Sequence, residues 1–137
     1  MNNSLTEEQV KVLNMSQSVI NEVRKVIIGK DEIIIKVLLS ILAGGHILIE
    51  DIPGVGKTTL AVALSKALSL DYKRLQFTPD VLPTDVTGFT ILNKETHKFE
   101  YKQGAALTNL FLADEINRTS SKTQSALLEV MEEGKVT

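Results

Sequence analysis

The sequence predicts an α/β fold in which helices sandwich a parallel sheet, and two segments carry this prediction. In the first, the apolar run at 46–50 leads into DIPGVGKTT at 51–59, and a helical pattern follows. In the second, the apolar tetrad at 110–113 directly precedes Asp114 and Glu115. Open parallel sheets bind their ligands at the carboxyl ends of the strands. Both segments therefore predict a ligand site at that edge.

The first forty residues predict two helices. A capping box begins at Thr6 and apolar residues then recur at helical spacing, which predicts a helix from Thr6 to about Ile27. Asp31 can cap a second helix that continues to Leu42. Because this second helix is apolar nearly all round, we expect it to be buried.

The middle of the chain predicts three parallel strands, at 46–50, 73–77 and 110–113. A helix from Lys57 to about Ser69 follows the glycine-rich segment and precedes the second strand. Strand, loop, helix and strand thus follow in the order that a phosphate-binding loop requires.

The remaining segments predict a loop, a hairpin and a last helix. The prolines and aspartates of Pro79–Gly88 favour a structured loop. Two short runs, 90–92 and 98–101, flank a polar turn and predict a small hairpin. A capping box at Ser121 begins the last helix, which Gly134 ends.

Composition argues against several classes of function. The net charge of −2 gives no electrostatic reason to expect a nucleic acid or an anionic membrane. Without cysteine, neither a disulfide framework nor a thiolate metal site is possible. The N-terminus lacks the pattern of a signal peptide, and polar residues interrupt the apolar stretch at 33–49. We expect a cytoplasmic protein with no membrane or nucleic acid partner.

The segment at 51–59 has the residue types that hold a nucleoside triphosphate and its metal. Glycines let successive N–H groups point at phosphate oxygens, and a lysine supplies positive charge to the β/γ end. The predicted cofactor-binding residues are Pro53, Gly54, Val55, Gly56, Lys57, Thr58 and Thr59. Asp51 stands where the usual pattern has its first glycine, and we expect it to alter the turn more than the phosphate contacts. An ordinary strand-to-helix turn is the alternative interpretation.

The acidic pair predicts hydrolysis as well as binding. Asp114 would lie in the outer shell of Mg²⁺, where Thr58 supplies a hydroxyl ligand. Glu115 would activate the attacking water, with Lys57 as the second catalytic residue. A strand that ends in acids is common in α/β proteins, so this prediction depends on its combination with the phosphate loop. Together the two segments predict an ATPase that uses ATP and Mg²⁺.

Three further segments resemble the MoxR family of AAA+ ATPases: RLQFTPDVLPTDVTG at 74–88, LADEINR at 112–118 and KTQSALLE at 122–129. The resemblance implies chaperone-type ATPases that assemble as rings, usually hexamers, and remodel or mature partner proteins. These client proteins often have von Willebrand A domains. It also implies that Ile27 and Ile28 contact the adenine base.

By the same resemblance, residues 1–137 would be a partial AAA+ ATPase domain whose later strands and helical lid lie beyond Thr137. The arginine finger, which supplies about 10³ to 10⁵ in rate in related NTPases, would also be absent. We therefore expect little or no turnover from this chain alone. Because a missing strand would lie between the first and third, we expect either that 46–50 pairs directly with 110–113 or that exposed strand edges drive association.

Several alternatives remain open. The chain could be a nucleotide-dependent assembly module without turnover, or belong with magnesium chelatase ATPases or ring-shaped DNA motors, which share both motifs. The segment at 76–88 favours MoxR, and the lack of positive charge argues against a DNA motor. Gln76 or Thr78 could sense the γ-phosphate and Arg118 could reach a neighbouring subunit, with a capped strand end and an exposed arginine as the simpler interpretations. The family usually has proline where this chain has Ala105, and we expect the difference to loosen the approach to the third strand.

Overall fold

The computed structural model describes residues 4–50 and 56–134. The chain divides into two compact units, Met1–Leu70 and Asp71–Thr137, and each is described by itself. The helices are α1 (Glu7–Arg24), α2 (Asp31–Leu42), α3 (Lys57–Ala67), α4 (Pro83–Thr87) and α5 (Ser121–Glu133), and the strands are β1 (Tyr72–Gln76), β2 (Gly88–Asn93), β3 (Lys98–Gln103) and β4 (Leu110–Asp114). Across the described ranges, no helix is both long and apolar enough to cross a membrane.

The predicted capping box at the start of α1 is confirmed. The Gln9 N–H donates to the Thr6 hydroxyl oxygen at 3.2 Å, and the Thr6 N–H donates to Gln9 Oε1 at 2.9 Å. The helix ends at Arg24, three residues earlier than predicted, because the N–H groups of Val26 and Ile27 both turn back to the Val23 carbonyl.

One apolar cluster joins the three helices of the first unit. Each helix or its terminus contributes two buried residues: Val23 and Ile27 from α1 and its end, Ile34 and Val37 from α2, and Leu60 and Leu64 from α3. The cluster fixes α3 against the junction of α1 and α2. The expectation of a fully buried α2 is wrong, because Leu39 and Leu42 on its other side are 60% and 54% exposed. Apolar composition shows which faces can be buried, whereas the neighbouring helices decide which face is.

The predicted strand at 46–50 is not formed. These residues have no regular secondary structure, and Leu48 is 71% exposed. A strand exists only through the hydrogen bonds of a neighbouring strand, and no described strand pairs with this segment. The expectation that 46–50 pairs directly with 110–113 is therefore also wrong for the described residues.

Two of the three predicted parallel strands are present. β1 pairs with β4 in a register from Tyr72 opposite Leu110 to Gln76 opposite Asp114. Alternate residues on one face join the core of the second unit, which consists of buried Phe77, Val86 and Leu127 with half-buried neighbours that include Leu75, Phe111 and Ala113. The other face includes Tyr72, Arg74 and Asp114.

The predicted hairpin is confirmed and is longer than expected. β2 and β3 are antiparallel, from Gly88 opposite Gln103 to Asn93 opposite Lys98. At the turn, the side-chain oxygen of Asn93 accepts the N–H groups of Glu95 and Thr96.

The predicted loop at Pro79–Gly88 contains a short helix, α4. Pro83 is its first residue, where a fixed φ favours a helix start, and the Asp85 carboxylate accepts the Leu82 N–H at 2.7 Å. The Ala105 N–H donates to the Asp85 carbonyl at 2.9 Å. Proline could not make this bond, so Ala105 ties the approach to β4 rather than loosening it.

The N-cap of the last helix lies one residue earlier than predicted. Ser120 is the N-cap and its hydroxyl accepts the Thr123 N–H at 3.3 Å, so Ser121 is already helical. Thr123 is fully buried and its hydroxyl donates to the Val81 carbonyl at 2.8 Å. The start of α5 is therefore tied to the segment that precedes α4.

We expect Thr123→Val to lower the free energy of unfolding by about 1 to 2 kcal/mol, because valine keeps the shape of the fully buried side chain but removes its hydrogen bond to the Val81 carbonyl, which keeps only the 3.5 Å contact from the Thr119 hydroxyl. Urea unfolding would measure the loss. Thr90→Val on the exposed strand β2 is the matched control, with an expected change within about 0.5 kcal/mol. Equal effects of the two substitutions would contradict a stabilising role for the Thr123 hydrogen bond.

Candidate functional site

The predicted phosphate loop is described from Gly56 onward, and Asp51, Ile52, Pro53, Gly54 and Val55 lie outside the described residues. Gly56 has φ +82° and ψ 22°, a left-handed backbone that favours glycine. It directly precedes Lys57, the first residue of α3. The loop therefore enters the helix through the conformation that its second glycine predicts.

The N-terminus of α3 presents backbone N–H groups that suit an anion. The first N–H groups of a helix have no acceptor within it, and the N-cap of α3 is Gly56, which has no side chain that could supply one. Its first turn holds no acidic residue, and Thr58 and Thr59 are exposed. A phosphate at this position would be stabilised by these N–H groups and by the helix dipole.

A cavity of about 430 Å³ lies at the junction of α1 and α2 in the same unit. It is lined by Arg24, Ile27, Ile28, Gly29, Asp31 and Glu32. Ile28 is 85% exposed, whereas Ile27 is 9% exposed and belongs to the core. A Cβ atom added to Gly56 would lie 4.0 Å from Ile27 Cδ1. The structure thus brings the end of the phosphate loop beside the segment predicted to contact adenine.

Ion pairs balance the charges around this cavity. Arg24 Nη2 lies 2.5 Å from Asp31 Oδ2, and Lys36 Nζ lies 2.9 Å from Glu32 Oε1. The hydrogen bond from Lys36 and then its charge lower the pKa of Glu32, so this carboxylate stays ionised at neutral pH. The rim is therefore polar without a large net charge.

The predicted acidic pair lies in the second unit. Asp114 is the last residue of β4, and Glu115 follows in a left-handed conformation with φ 57° and ψ 43°. The Arg118 N–H donates to the Glu115 carbonyl at 3.0 Å and closes a 3-10 turn. A non-glycine residue in this conformation is uncommon and is frequent at functional sites. Asp114 is half-buried at the end of the strand, whereas Glu115 is exposed at the start of the turn.

Arg74, which the sequence interpretation did not select, makes an ion pair with one of the predicted site residues. Its Nη2 lies 2.6 Å from Asp114 Oδ2, across the two strands. The register places Arg74 opposite Leu112 and Gln76 opposite Asp114, so the ion pair joins residues diagonally on one face of the sheet. The available signal was the alternation of side chains along β1. Once β1 is paired with β4, this alternation places the Arg74 guanidinium on the same face of the sheet as the Asp114 carboxylate.

Tyr72 lies on the same face of β1, two residues before Arg74. Its hydroxyl is buried and finds no hydrogen-bond partner in the described part of the chain. Burial raises the pKa of Tyr72 above its usual value, the charge of Arg74 acts in the opposite direction, and the charge of Asp114 adds to the rise. The phenol is therefore neutral at physiological pH.

Gln124 fixes the turn that follows the acidic pair. Its Nε2 donates to the Ile116 carbonyl at 3.1 Å and to the Thr119 carbonyl at 3.3 Å. Gln124 belongs to the KTQSALLE segment, whose role could not be derived from spacing. Its amide holds the backbone directly after Glu115.

The predicted metal-binding residues are Thr58 and Asp114, one in each unit. No group of three or more His, Asp or Glu side chains in the described ranges is arranged to hold a metal. Mg²⁺ is commonly held by one or two protein ligands together with substrate phosphates, so a full protein cage is not required. Thr58 has an exposed hydroxyl in the first unit, and in the second no described side chain or backbone group donates to Asp114 Oδ1. Both are hard oxygen ligands of the kind that Mg²⁺ prefers.

Known proteins share these sequence features. The model of the ATPase family associated with various cellular activities (AAA) matches residues 46–137, about two thirds of the chain. The uncharacterized protein YeaC of Bacillus subtilis is 57% identical over 118 residues, which are 86% of this chain and 37% of that protein. Chaperone MoxR1 of Mycobacterium tuberculosis is 42% identical over 112 residues, 82% of this chain and 30% of that protein.

A solved structure is also similar. The crystal structure of a proposed ATPase from Cytophaga hutchinsonii has a TM-score of 0.77 and 43% sequence identity, and covers 96% of this chain and 42% of that one. The chain thus spans less than half the length of these relatives. The likeness confirms the predicted α/β fold with parallel strands as that of an AAA ATPase, and membership implies ATP binding. The chain belongs to the AAA ATPase family, and within it to the MoxR type.

Proposed function

We propose that this chain binds and hydrolyses ATP with Mg²⁺ as part of a MoxR-type AAA ATPase. One observation carries the proposal: a left-handed Gly56 leads directly into the first turn of α3, which begins at Lys57 and holds no acidic residue. Within the same unit, the cavity beside Ile27 and Ile28 is large enough for a nucleotide base.

The first unit would bind the nucleotide. The phosphates would accept hydrogen bonds from N–H groups of the loop and of the first turn of α3. Lys57 would place its positive charge beside the β- and γ-phosphates. Ile28 would cover one side of the base, because it is the exposed apolar residue of the cavity lining. The remaining members of the predicted site, Pro53, Gly54 and Val55, would complete the phosphate contacts.

The second unit would supply the hydrolytic residues. Mg²⁺ neutralises charge on the β- and γ-phosphates when it is bound. Thr58 would supply a hydroxyl ligand to the metal, and Asp114 would lie in its outer shell. Glu115 would orient a water molecule and take its proton as the water oxygen bonds to the γ-phosphorus and the bond to the β–γ bridging oxygen breaks. The products are ADP and inorganic phosphate.

The wider activity follows from the family. MoxR1 is named a chaperone, and the chain matches 82% of its own length to that protein. We propose that the protein works as a ring of identical subunits, usually six in the family it resembles, which remodels or matures client proteins. Clients with von Willebrand A domains are the partner class that the family implies.

Calorimetric titration of this chain with Mg-ATP tests the proposal. We expect Lys57→Ala to weaken binding by roughly tenfold to a hundredfold, because a charge-assisted contact to phosphate is lost. Lys66→Ala, an exposed lysine in the last turn of the same helix, is the matched control and should leave the affinity within about twofold. Equal affinities for the native chain and Lys57→Ala, or a folded native chain that does not bind, would refute the proposed site.

A further inference from the structure

We propose that Arg74 is the positioning residue of the magnesium site: it holds Asp114 Oδ2 and so leaves Oδ1 directed to the water shell of the metal. The inference rests on the proposed role of Asp114. It concerns a residue outside both ATP-binding motifs, and only the pairing of β1 with β4 reveals it.

The first support is the geometry of the ion pair. Arg74 Nη2 and Asp114 Oδ2 are 2.6 Å apart, which is short for a charge-assisted hydrogen bond. Both residues lie on paired strands, and the Phe77 N–H donates to the Asp114 carbonyl at 2.8 Å. The backbone of Asp114 is therefore fixed, which leaves the rotation of its side chain to be set by Arg74.

The second support is the division of the carboxylate. The χ2 torsion of an aspartate has a broad distribution, so a carboxylate without a partner samples many orientations. One oxygen of Asp114 accepts from Arg74, and no described group donates to the other. A guanidinium bound to one oxygen selects an orientation in which the second oxygen can accept hydrogen bonds from metal-bound water.

The third support is the environment of the pair. The side chain of Asp114 is 24% exposed and that of Arg74 is 39% exposed, and the Tyr72 hydroxyl on the same face is buried. Reduced contact with water strengthens the pair relative to one on an open surface. The ion pairs that Arg24, Lys25, Lys36 and Lys102 make with carboxylates are all more exposed than this one.

A competing role for Arg74 gives the opposite prediction. If the guanidinium occupied the place of the metal, its removal would free Asp114 and strengthen the effect of Mg²⁺. If it positions Asp114, its removal weakens that effect. The two roles are therefore separated by whether the magnesium effect on ATP affinity rises or falls when Arg74 is replaced.

The experiment measures ATP affinity of this chain by calorimetry, once with Mg²⁺ and once with EDTA. The ratio of the two affinities is the magnesium enhancement. We expect Arg74→Gln to lower the enhancement about two- to fivefold while the affinity in EDTA stays unchanged. Arg74→Lys keeps a positive charge and should retain at least half of the enhancement. Lys98→Gln on the exposed strand β3 is the control and should change neither affinity.

An increased enhancement, an unchanged enhancement, or an equal loss with and without Mg²⁺ would overturn the inference. Asp114→Asn separates it from the proposed function: if this substitution leaves the enhancement intact, the magnesium site itself is wrong. If Asp114→Asn removes the enhancement and Arg74→Gln does not, only the role of Arg74 is wrong. In the double variant, Arg74→Gln should cause no loss beyond that of Asp114→Asn. If the Arg74→Gln variant is too unstable to measure, the test uses Arg74→Lys. A magnesium enhancement in Arg74→Lys as low as that of Asp114→Asn would refute positioning by the charge of residue 74.

Discussion

We expect Glu115→Gln to lower ATP turnover by about 10² to 10⁴-fold while leaving ATP affinity unchanged. Glutamine has the shape of glutamate, but its amide cannot accept a proton from the attacking water. The loss should therefore appear in kcat and not in binding.

The structure favours a selective effect of this substitution. Glu115 is exposed, and its side chain makes no hydrogen bond with the described residues. The turn after it is fixed by backbone contacts and by Gln124, so it does not depend on the carboxylate. Replacing Glu115 should thus remove a chemical group without disturbing the strand end.

Phosphate release should be measured with the longest gene product that contains this sequence, because the relatives are much longer than the matched segment. Glu132→Gln, an exposed glutamate in the last turn of α5, is the matched control and should retain full turnover. Turnover that is the same in Glu115→Gln and the native protein would contradict the assignment of Glu115. ATP binding without any turnover by the native protein would favour the assembly module that the sequence left open.

Local signals predicted the four longer helices and the hairpin to within a few residues, whereas the short helix α4 was interpreted as part of a loop. The capping box at Thr6 and the glycine at position 134 act on the backbone next to them, so neighbours in sequence suffice to place these ends. The strand at 46–50 was wrong for the opposite reason. Its apolar residues favour an extended chain, but a strand requires a partner that its own residues do not specify.

The same distinction applies to the site. Gly56, Lys57 and Thr58 are consecutive in sequence, as are Asp114 and Glu115, so motif spacing identified them. Arg74 lies 40 positions before Asp114, and their contact depends on which strands are neighbours. The bond between Thr123 and the Val81 carbonyl spans 42 positions and was equally hidden. Spacing thus identified the groups proposed to meet ATP, but not the groups that position them.

The second large effect that we expect is a loss of about 3 kcal/mol in the free energy of unfolding for Gly104→Ala. A Cβ atom at this position would overlap the Val86 carbonyl oxygen and the Gly88 amide nitrogen, and would lie 2.5 Å from the Val86 carbonyl carbon. These are backbone atoms, which cannot rotate away as a flexible side chain could. The chain would have to separate the end of β3 from α4.

Neighbouring contacts limit how far this region can adjust. The N–H groups of Ala105 and Ala106 donate to the Asp85 and Val86 carbonyls at 2.9 and 3.0 Å, so a shift at Gly104 strains both bonds. Gly45→Ala is the matched control, since the nearest atom to its added Cβ is the Ser40 carbonyl oxygen at an ordinary 3.5 Å. Urea unfolding followed by circular dichroism would compare the two variants. Because whole domains are stable by only about 5 to 15 kcal/mol, the expected loss is a large fraction of the total. A Gly104→Ala variant as stable as Gly45→Ala would show that this backbone contact is looser than the structure indicates.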